Sequence, residues 1–266
     1  MARIALFGGI YSNYLALAAA IADAERRGVD AIYCLGDLGA FGPHPDRAIE
    51  LLREHGIACV RGNYDDSIGR GLADCQCGYT DPRDNHFAQL SYNYTLAKTS
   101  AAHRAWLRTL PSEIRFDVDG LRVLLCHGSP RRMNEFLWES TTSTHFLNHL
   151  AGQYAADVIC TTHTGIKWQR QLAGRRQFVN VGVLGRPEND GKTNVWYTLL
   201  QQHPEERHAG CSLQFEFVPV EYDHHRLAAE MGTERLPEEF VETILTGWWT
   251  TCLEVLPAKE RGRGKY

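Results

Sequence analysis

Arg3-Ile-Ala-Leu-Phe7, Gly8-Gly-Ile-Tyr-Ser-Asn13, Tyr14-Leu-Ala-Leu-Ala-Ala-Ala-Ile-Ala-Asp-Ala-Glu-Arg-Arg27 and Ala31-Ile-Tyr-Cys-Leu35-Gly36-Asp37 decide the fold of this chain. The first apolar run reads as a strand. Ser12 or Asn13 then offers an N-cap, and the periodic stretch from Tyr14 reads as a helix closed by Gly28. Ala31–Leu35 is a second strand, so the helix must carry the chain back for a parallel pairing, and such crossovers are right-handed. The unit repeats: Pro45 to about Glu54 reads as a helix with Pro in its first turn, and Ile57–Val60 as a third strand ending at Gly62-Asn63.

Working outward, residues 66 to about 100 carry Gly, Asp, Asn and Tyr with little apolar periodicity, which predicts an irregular functional loop or lid. A helix is expected over 101–109. Ile114–Val118 and Leu121–Cys126 flank Asp119-Gly120, a type I′ hairpin signal. Asp157–Thr161 is a further strand, and Gln169–Leu172 with Gln177–Val181 form a second hairpin around Ala173-Gly-Arg-Arg176. Asn194–Leu200 and Leu213–Val220 complete the strands, and the pattern after Asp223 turns helical to about Leu256. Strands from crossovers and strands from hairpins together predict an α/β fold, a four-layer αββα sandwich of two mixed β-sheets flanked by helices. The expected division is a domain over 1–222 with a helical extension, 223–266, packed on it.

Net charge is −4 with scattered basic residues, so no nucleic-acid partner is expected. The basic run Lys259–Lys265 reads as a solvated tail. Met1-Ala-Arg3 enters the first strand without a signal-peptide pattern, and no apolar stretch approaches the roughly 20 residues of a membrane span. No membrane partner and a cytoplasmic location are therefore expected. Eight cysteines in that setting predict reduced thiols. Cys34, Cys126 and Cys160 read as buried strand residues, and Cys75-Gln-Cys77 as a weak metal-ligand signal. Trp248-Trp249 is read as packing onto the domain, with a homo-oligomer contact as the alternative.

Four strand ends carry metal-ligand chemistry. They are Gly36-Asp37, Gly62-Asn63-Tyr64-Asp65, Cys126-His127-Gly128 and Thr162-His163-Thr164-Gly165. Ligand sites of open α/β sheets lie where such loops converge. Taken singly, a His at a strand end is a structural residue and an Asp after Gly a turn or cap. Together Asp37, Asn63, His127 and His163 offer two oxygens and two imidazoles, a set suited to Mn, Fe or Zn rather than Ca.

This series resembles the calcineurin-like metallophosphoesterase superfamily, with its motifs D-x-H, G-D, G-N-[HD], a Gly-flanked H and G-H-x-H. The resemblance runs over roughly residues 2–222 and is nearest the small bacterial phosphodiesterase-like branch, where a segment like Phe178–Pro187 follows the last motif. It implies that Asp37 corresponds to a carboxylate bridging two metals, and Asn63, His127 and His163 to the other ligands of one of them. The remaining ion's ligands are missing: Gly9 and Tyr11 stand in D-x-H, and Gly165 replaces the second His of G-H-x-H. One transition metal, divalent or trivalent, is the resulting expectation. Tyr64 stands where many relatives carry a His that protonates the leaving group. Asp65 is then a candidate acid or a cap of the next turn, and Tyr11 a packed, substrate-contacting or metal-ligating residue. Arg131 and Arg132 read either as phosphate clamps filling the vacated space or as surface ion-pair partners.

The expected function is a metal-dependent hydrolase of a small phosphomonoester or phosphodiester at an atypical single-metal site. A non-catalytic protein binding a phosphate or nucleotide ligand on the same fold is the alternative. A dinucleotide-binding oxidoreductase is excluded, because G-x-G-x-x-G counted from Gly8 falls on Ile10 and Asn13.

Overall fold

Two five-stranded mixed sheets pack face to face between helices in a computed structural model that describes residues 2–202 and 213–266. The first sheet has the order β10 (Leu213–Val220), β9 (Val195–Gln202), β1 (Arg3–Phe7), β2 (Ala31–Cys34), β3 (Ala58–Cys59). β1, β2 and β3 run parallel, and β9 and β10 close the other side antiparallel. The second sheet is β4 (Glu113–Val118), β5 (Leu121–Cys126), β6 (Val158–Thr161), β8 (Gln177–Asn180), β7 (Trp168–Gln171). β5, β6 and β8 are parallel, and hairpin partners β4 and β7 form the edges.

The two-residue period of a strand explains the layering. Ile4 and Leu6 of β1 meet Val123 and Leu125 of β5 in the apolar layer between the sheets. Ala5 and Phe7 face outward onto α1 (Tyr14–Arg26) and α2 (Pro45–Glu54). On the second sheet Leu124, Ile159 and Phe178 face α6 (Thr144–Gln153), a helix the sequence reading did not anticipate. Local signals behave as their chemistry requires. The Asn13 side chain accepts from the Ala16 N–H as the cap of α1, and Asp119 and Gly120 both take positive φ, 51° and 76°.

Three expectations are corrected. Residues 66–100 are not an irregular lid but largely two helices, α3 (Asn63–Arg70) and α4 (Pro82–Lys98), ahead of α5 (Ala101–Leu107). Asp81 caps α4, accepting from Arg83 and Asp84 N–H with Pro82 following. α4 escaped the periodicity because it buries Asp84, Ser91 and Thr95 alongside Phe87, Ala88 and Tyr92. Ser91 Oγ accepts from Phe41 N–H (2.7 Å) and Thr95 Oγ1 from Ala40 N–H (3.3 Å), so this polar stripe holds a neighbouring loop. Second, Cys75 and Cys77 form a disulfide: Gln76, at φ 53°, reverses the chain and brings their Cα atoms to 5.3 Å. That removes both reduced thiols and metal ligation at that pair. Five other cysteines are free, and Cys211 lies outside the described residues. Third, the chain after 223 is not one helical stretch. α7 (His224–Thr233) and α8 (Glu238–Thr246) give way to an irregular segment before the short α9 (Ala258–Arg261). Leu227, Met231, Phe240 and Ile244 lie in the same apolar cluster as α1 and α2. No helix among the described residues is long and apolar enough to cross a membrane.

Candidate metal centre

The loops after β2 and β3 approach so closely that both of their glycines are needed. A Cβ on Gly36, itself at φ 88°, would sit 2.4 Å from the Gly62 nitrogen, and one on Gly62 would sit 2.3 Å from Asp37 Oδ1. Asp37 is buried at φ 55° with Oδ1 accepting from Tyr64 N–H (3.0 Å). Asp65 ties the two loops together. Its carboxylate accepts from Asp37 N–H (2.8 Å), Leu38 N–H (3.0 Å) and Gly62 N–H (2.8 Å). Burial and the Asp37 charge push Asp65 up to about 7, against the pull of these donors.

From the second sheet, His127 follows β5 and His163 follows β6. His127 Nδ1 lies 2.7 Å from the Leu35 carbonyl, which makes Nδ1 the donor and turns Nε2 inward. Nε2 then stands 3.2 Å from Asp37 Oδ2 and 3.2 Å from His163 Nδ1. One ligand atom from each of Asp37, His127 and His163 lies within 4.8 Å of the others, and all three residues are buried. Desolvation opposes charge on Asp37 and His127, but each stabilises the other's charged form: Asp37 is held below the usual carboxylate range and His127 is raised. Burial and the His127 charge drive His163 down to about 3, keeping its imidazole neutral. His163 takes φ 71°, a left-handed conformation whose cost is concentrated at functional sites.

Asn63 begins α3. Its amide donates to the Cys75 carbonyl (2.9 Å) and to Cys77 Sγ (3.3 Å), which orients the amide and leaves Oδ1 buried without a hydrogen bond. The Asp37 carboxylate and two inward-facing imidazole nitrogens are a donor set for a cation, which would displace the proton that Asp37 favours on His127 Nε2. The residues fit a transition metal.

The positions lacking ligands are filled. A Cβ on Gly9 would meet the Tyr11 ring at 2.6 Å, and one on Gly165 would meet Trp249 at 3.0 Å and Arg186 Nη2 at 3.4 Å. Tyr11 therefore lies where a side chain from 9 would project, and Trp249 and Arg186 where one from 165 would. Tyr11 and Arg186 border a pocket that reaches Asp37 and His163 and is walled by Phe41, Tyr79, Phe87 and Phe240. Tyr64 turns its hydroxyl to the Ala88 carbonyl (3.3 Å). Burial and the Asp37 charge, against the nearby Arg186, raise the Tyr11 phenol well above its ordinary value.

Two candidates stand elsewhere. Arg131 is exposed, its guanidinium paired with Glu135 (Nε to Oε2 2.9 Å) and lying over Phe146; Arg132 is also exposed. Neither enters the pocket, because the turn after Pro130 directs both outward. Asp65 has its oxygens engaged by three backbone donors, so the capping alternative describes its contacts and the acid role does not. Arg186 and Trp249 were missed. Arg186 sits in the Phe178–Pro187 segment, one residue from the turn glycine Gly185, and nothing local aims it at the site. Leu184 and Gly185 N–H both donate to the Gly9 carbonyl (2.9 and 2.8 Å), which draws this loop over the first one.

A family model for the calcineurin-like phosphoesterase superfamily domain matches residues 3–202. The chain belongs to that superfamily. An uncharacterized protein of Methanocaldococcus jannaschii is 25% identical over 264 residues, covering 92% of this chain and 98% of its own. A metallophosphoesterase from Sphaerobacter thermophilus superposes with a TM-score of 0.67 at 25% identity, over 92% of this chain and 99% of that one. A hypothetical protein from Pyrococcus horikoshii gives a TM-score of 0.75 at 20% identity, over 94% and 100%, and attests the fold. Metal-assisted phosphoester hydrolysis is the general chemistry of this superfamily member, and the Asp37, His127 and His163 cluster is its possible metal site.

Proposed function

We propose that this superfamily member hydrolyses a small phosphomonoester or phosphodiester with one metal ion, held by Asp37, Asn63, His127 and His163. The observation that carries the reading is the convergence of three ligand atoms within 4.8 Å, with Asn63 Oδ1 buried and unpartnered at the start of α3, while Gly9, Tyr11 and Gly165 supply no second set. A Mn, Fe or Zn ion bound there would polarise a phosphoryl oxygen and lower the pKa of a coordinated water.

The chain's own residues do the rest. Leu35 fixes the His127 tautomer, and Cys75 and Cys77 fix the Asn63 amide, so two ligands are oriented before any ion arrives. Asp65 holds the backbone that carries Asp37 and Asn63. The aromatic wall excludes water from the organic part of the substrate. Tyr11 borders the same pocket as a substrate-contacting residue.

Elemental analysis of gently purified protein should give about one metal per chain. Phosphate release from a panel of mono- and diesters with Mn, Fe or Zn should be abolished in His127→Ala. A count of two metals would overturn the single-ion reading. Binding without turnover is a second reading, favoured by the engagement of Asp65, the expected acid, in backbone hydrogen bonds. Equal inertness of wild type and His127→Ala, with phosphate still raising Tm, would select it.

A further inference from the structure

The two emptied ligand positions and one misplaced cation belong together. Arg186 is 7% exposed. Its guanidinium makes no hydrogen bond and no ion pair with any described residue, and Nε is fully buried without a partner. A buried charge without a counter-charge is costly, and proteins retain one where a ligand completes it. The compensation present is aromatic: the guanidinium lies 3.6 Å from the Trp249 ring centroid, with Phe41 at 5.7 Å and Tyr11 at 5.8 Å. A guanidinium held over an indole by its cation–π face leaves its N–H donors free for an acceptor.

The stack is deliberately held. Trp249 donates its indole N–H to the Pro187 carbonyl (2.7 Å) and its backbone N–H to Asn189 Oδ1 (2.8 Å), so it is bound to the loop that bears Arg186. That loop is held in turn by Asn13 Nδ2 on the Gly185 carbonyl (3.1 Å). Room for the stack exists because residue 165 has no side chain: Arg186 Nη2 and the Trp249 ring lie at 3.4 and 3.0 Å from where its Cβ would be. The same pocket is lined by Asp37 and His163.

We infer that Arg186 is the anion-binding group of this site: it receives a phosphoryl oxygen of the substrate from the side where a second ion's ligands are missing, as a fixed positive charge in that ion's place. This rests on the phosphoester reading for the identity of the anion, but not on the presence of the metal. A forked donor suits a tetrahedral oxyanion, offering two hydrogen bonds where a lysine would offer one point charge.

The test is inorganic phosphate binding by calorimetry to the full chain, as purified and after chelation, for wild type, Arg186→Gln and Arg186→Lys, with metal content and Tm recorded for each. Arg186→Gln should weaken phosphate by about 10- to 100-fold in both forms, the loss expected for a charge-assisted hydrogen-bond pair. Metal content should stay unchanged, and Arg186→Lys should recover part of the affinity. Unchanged phosphate affinity in a folded Arg186→Gln protein overturns the inference, even if its Tm falls, because a purely structural stack predicts that pattern. Should Arg186→Gln not fold, wild-type crystals soaked in tungstate decide: the anion belongs on the Arg186 guanidinium, and a pocket in which tungstate sits away from it refutes the assignment. A wild type that binds no metal yet binds phosphate through Arg186 would sink the single-metal reading and leave this one standing.

Discussion

Asp65→Asn separates two roles that one carboxylate could play. In the structure Oδ2 accepts from Asp37 and Gly62 N–H, both at 2.8 Å, and Oδ1 accepts from Leu38 N–H at 3.0 Å. An asparagine keeps one oxygen for the first pair. Its amide nitrogen then faces the Leu38 N–H, donor against donor, in a site 1% exposed. One hydrogen bond is lost and one buried donor is left unsatisfied, so the cost is about 2–3 kcal/mol. For a chain of this size that lowers Tm by about 4–12 °C. Because the disturbed backbone carries Asp37, metal content should fall with stability, and activity should return in proportion when metal is added in excess. Thermal unfolding and elemental analysis on the same preparation give both numbers. A variant as stable and as fully metallated as wild type, yet inactive, would refute the bracing argument and restore Asp65 as the proton donor.

Gly165→His should not recruit a second ion: φ is 79° and the new Cβ would meet Trp249 at 3.0 Å. The expected outcome is a loss of about 1–3 kcal/mol, read by denaturant unfolding, with metal content still near one per chain. Ser91→Ala leaves the buried Phe41 N–H without its acceptor at 2.7 Å and should cost about 1–3 kcal/mol in the same assay. Asp157, held by the Arg122 fork and Arg122 N–H, has its carboxyl depressed to about 2. Since the folded value lies below the unfolded one, its contribution is present above about pH 4 and lost as pH falls through about 2. Solvent weakens the pair, so Asp157→Asn should lower Tm by only about 2 °C at pH 7 and by nothing measurable at pH 2.

What the sequence alone determined is local. The strand–helix–strand repeat around Arg3–Phe7 and Ala31–Cys34 is written in short-range periodicity, so its alternation and the two-sheet architecture were legible. Asp37, Asn63, His127 and His163 could be named because each sits at the end of an apolar strand, where β-sheet geometry alone directs it to one rim. α4 was not legible, since its buried face mixes Ser91 and Thr95 with Tyr92, and a polar side chain signals burial only through its partner. Arg131 and Arg186 show the same limit. Both are arginines just beyond a glycine or proline turn, yet one pairs with Glu135 on the surface and the other lies buried on Trp249. Their difference arises from residues more than sixty positions away, Trp249 and Gly9 among them, which meet only when the chain closes. A side chain's charge is a property of the residue; whether that charge stands in water or in a pocket is decided by the tertiary packing around it.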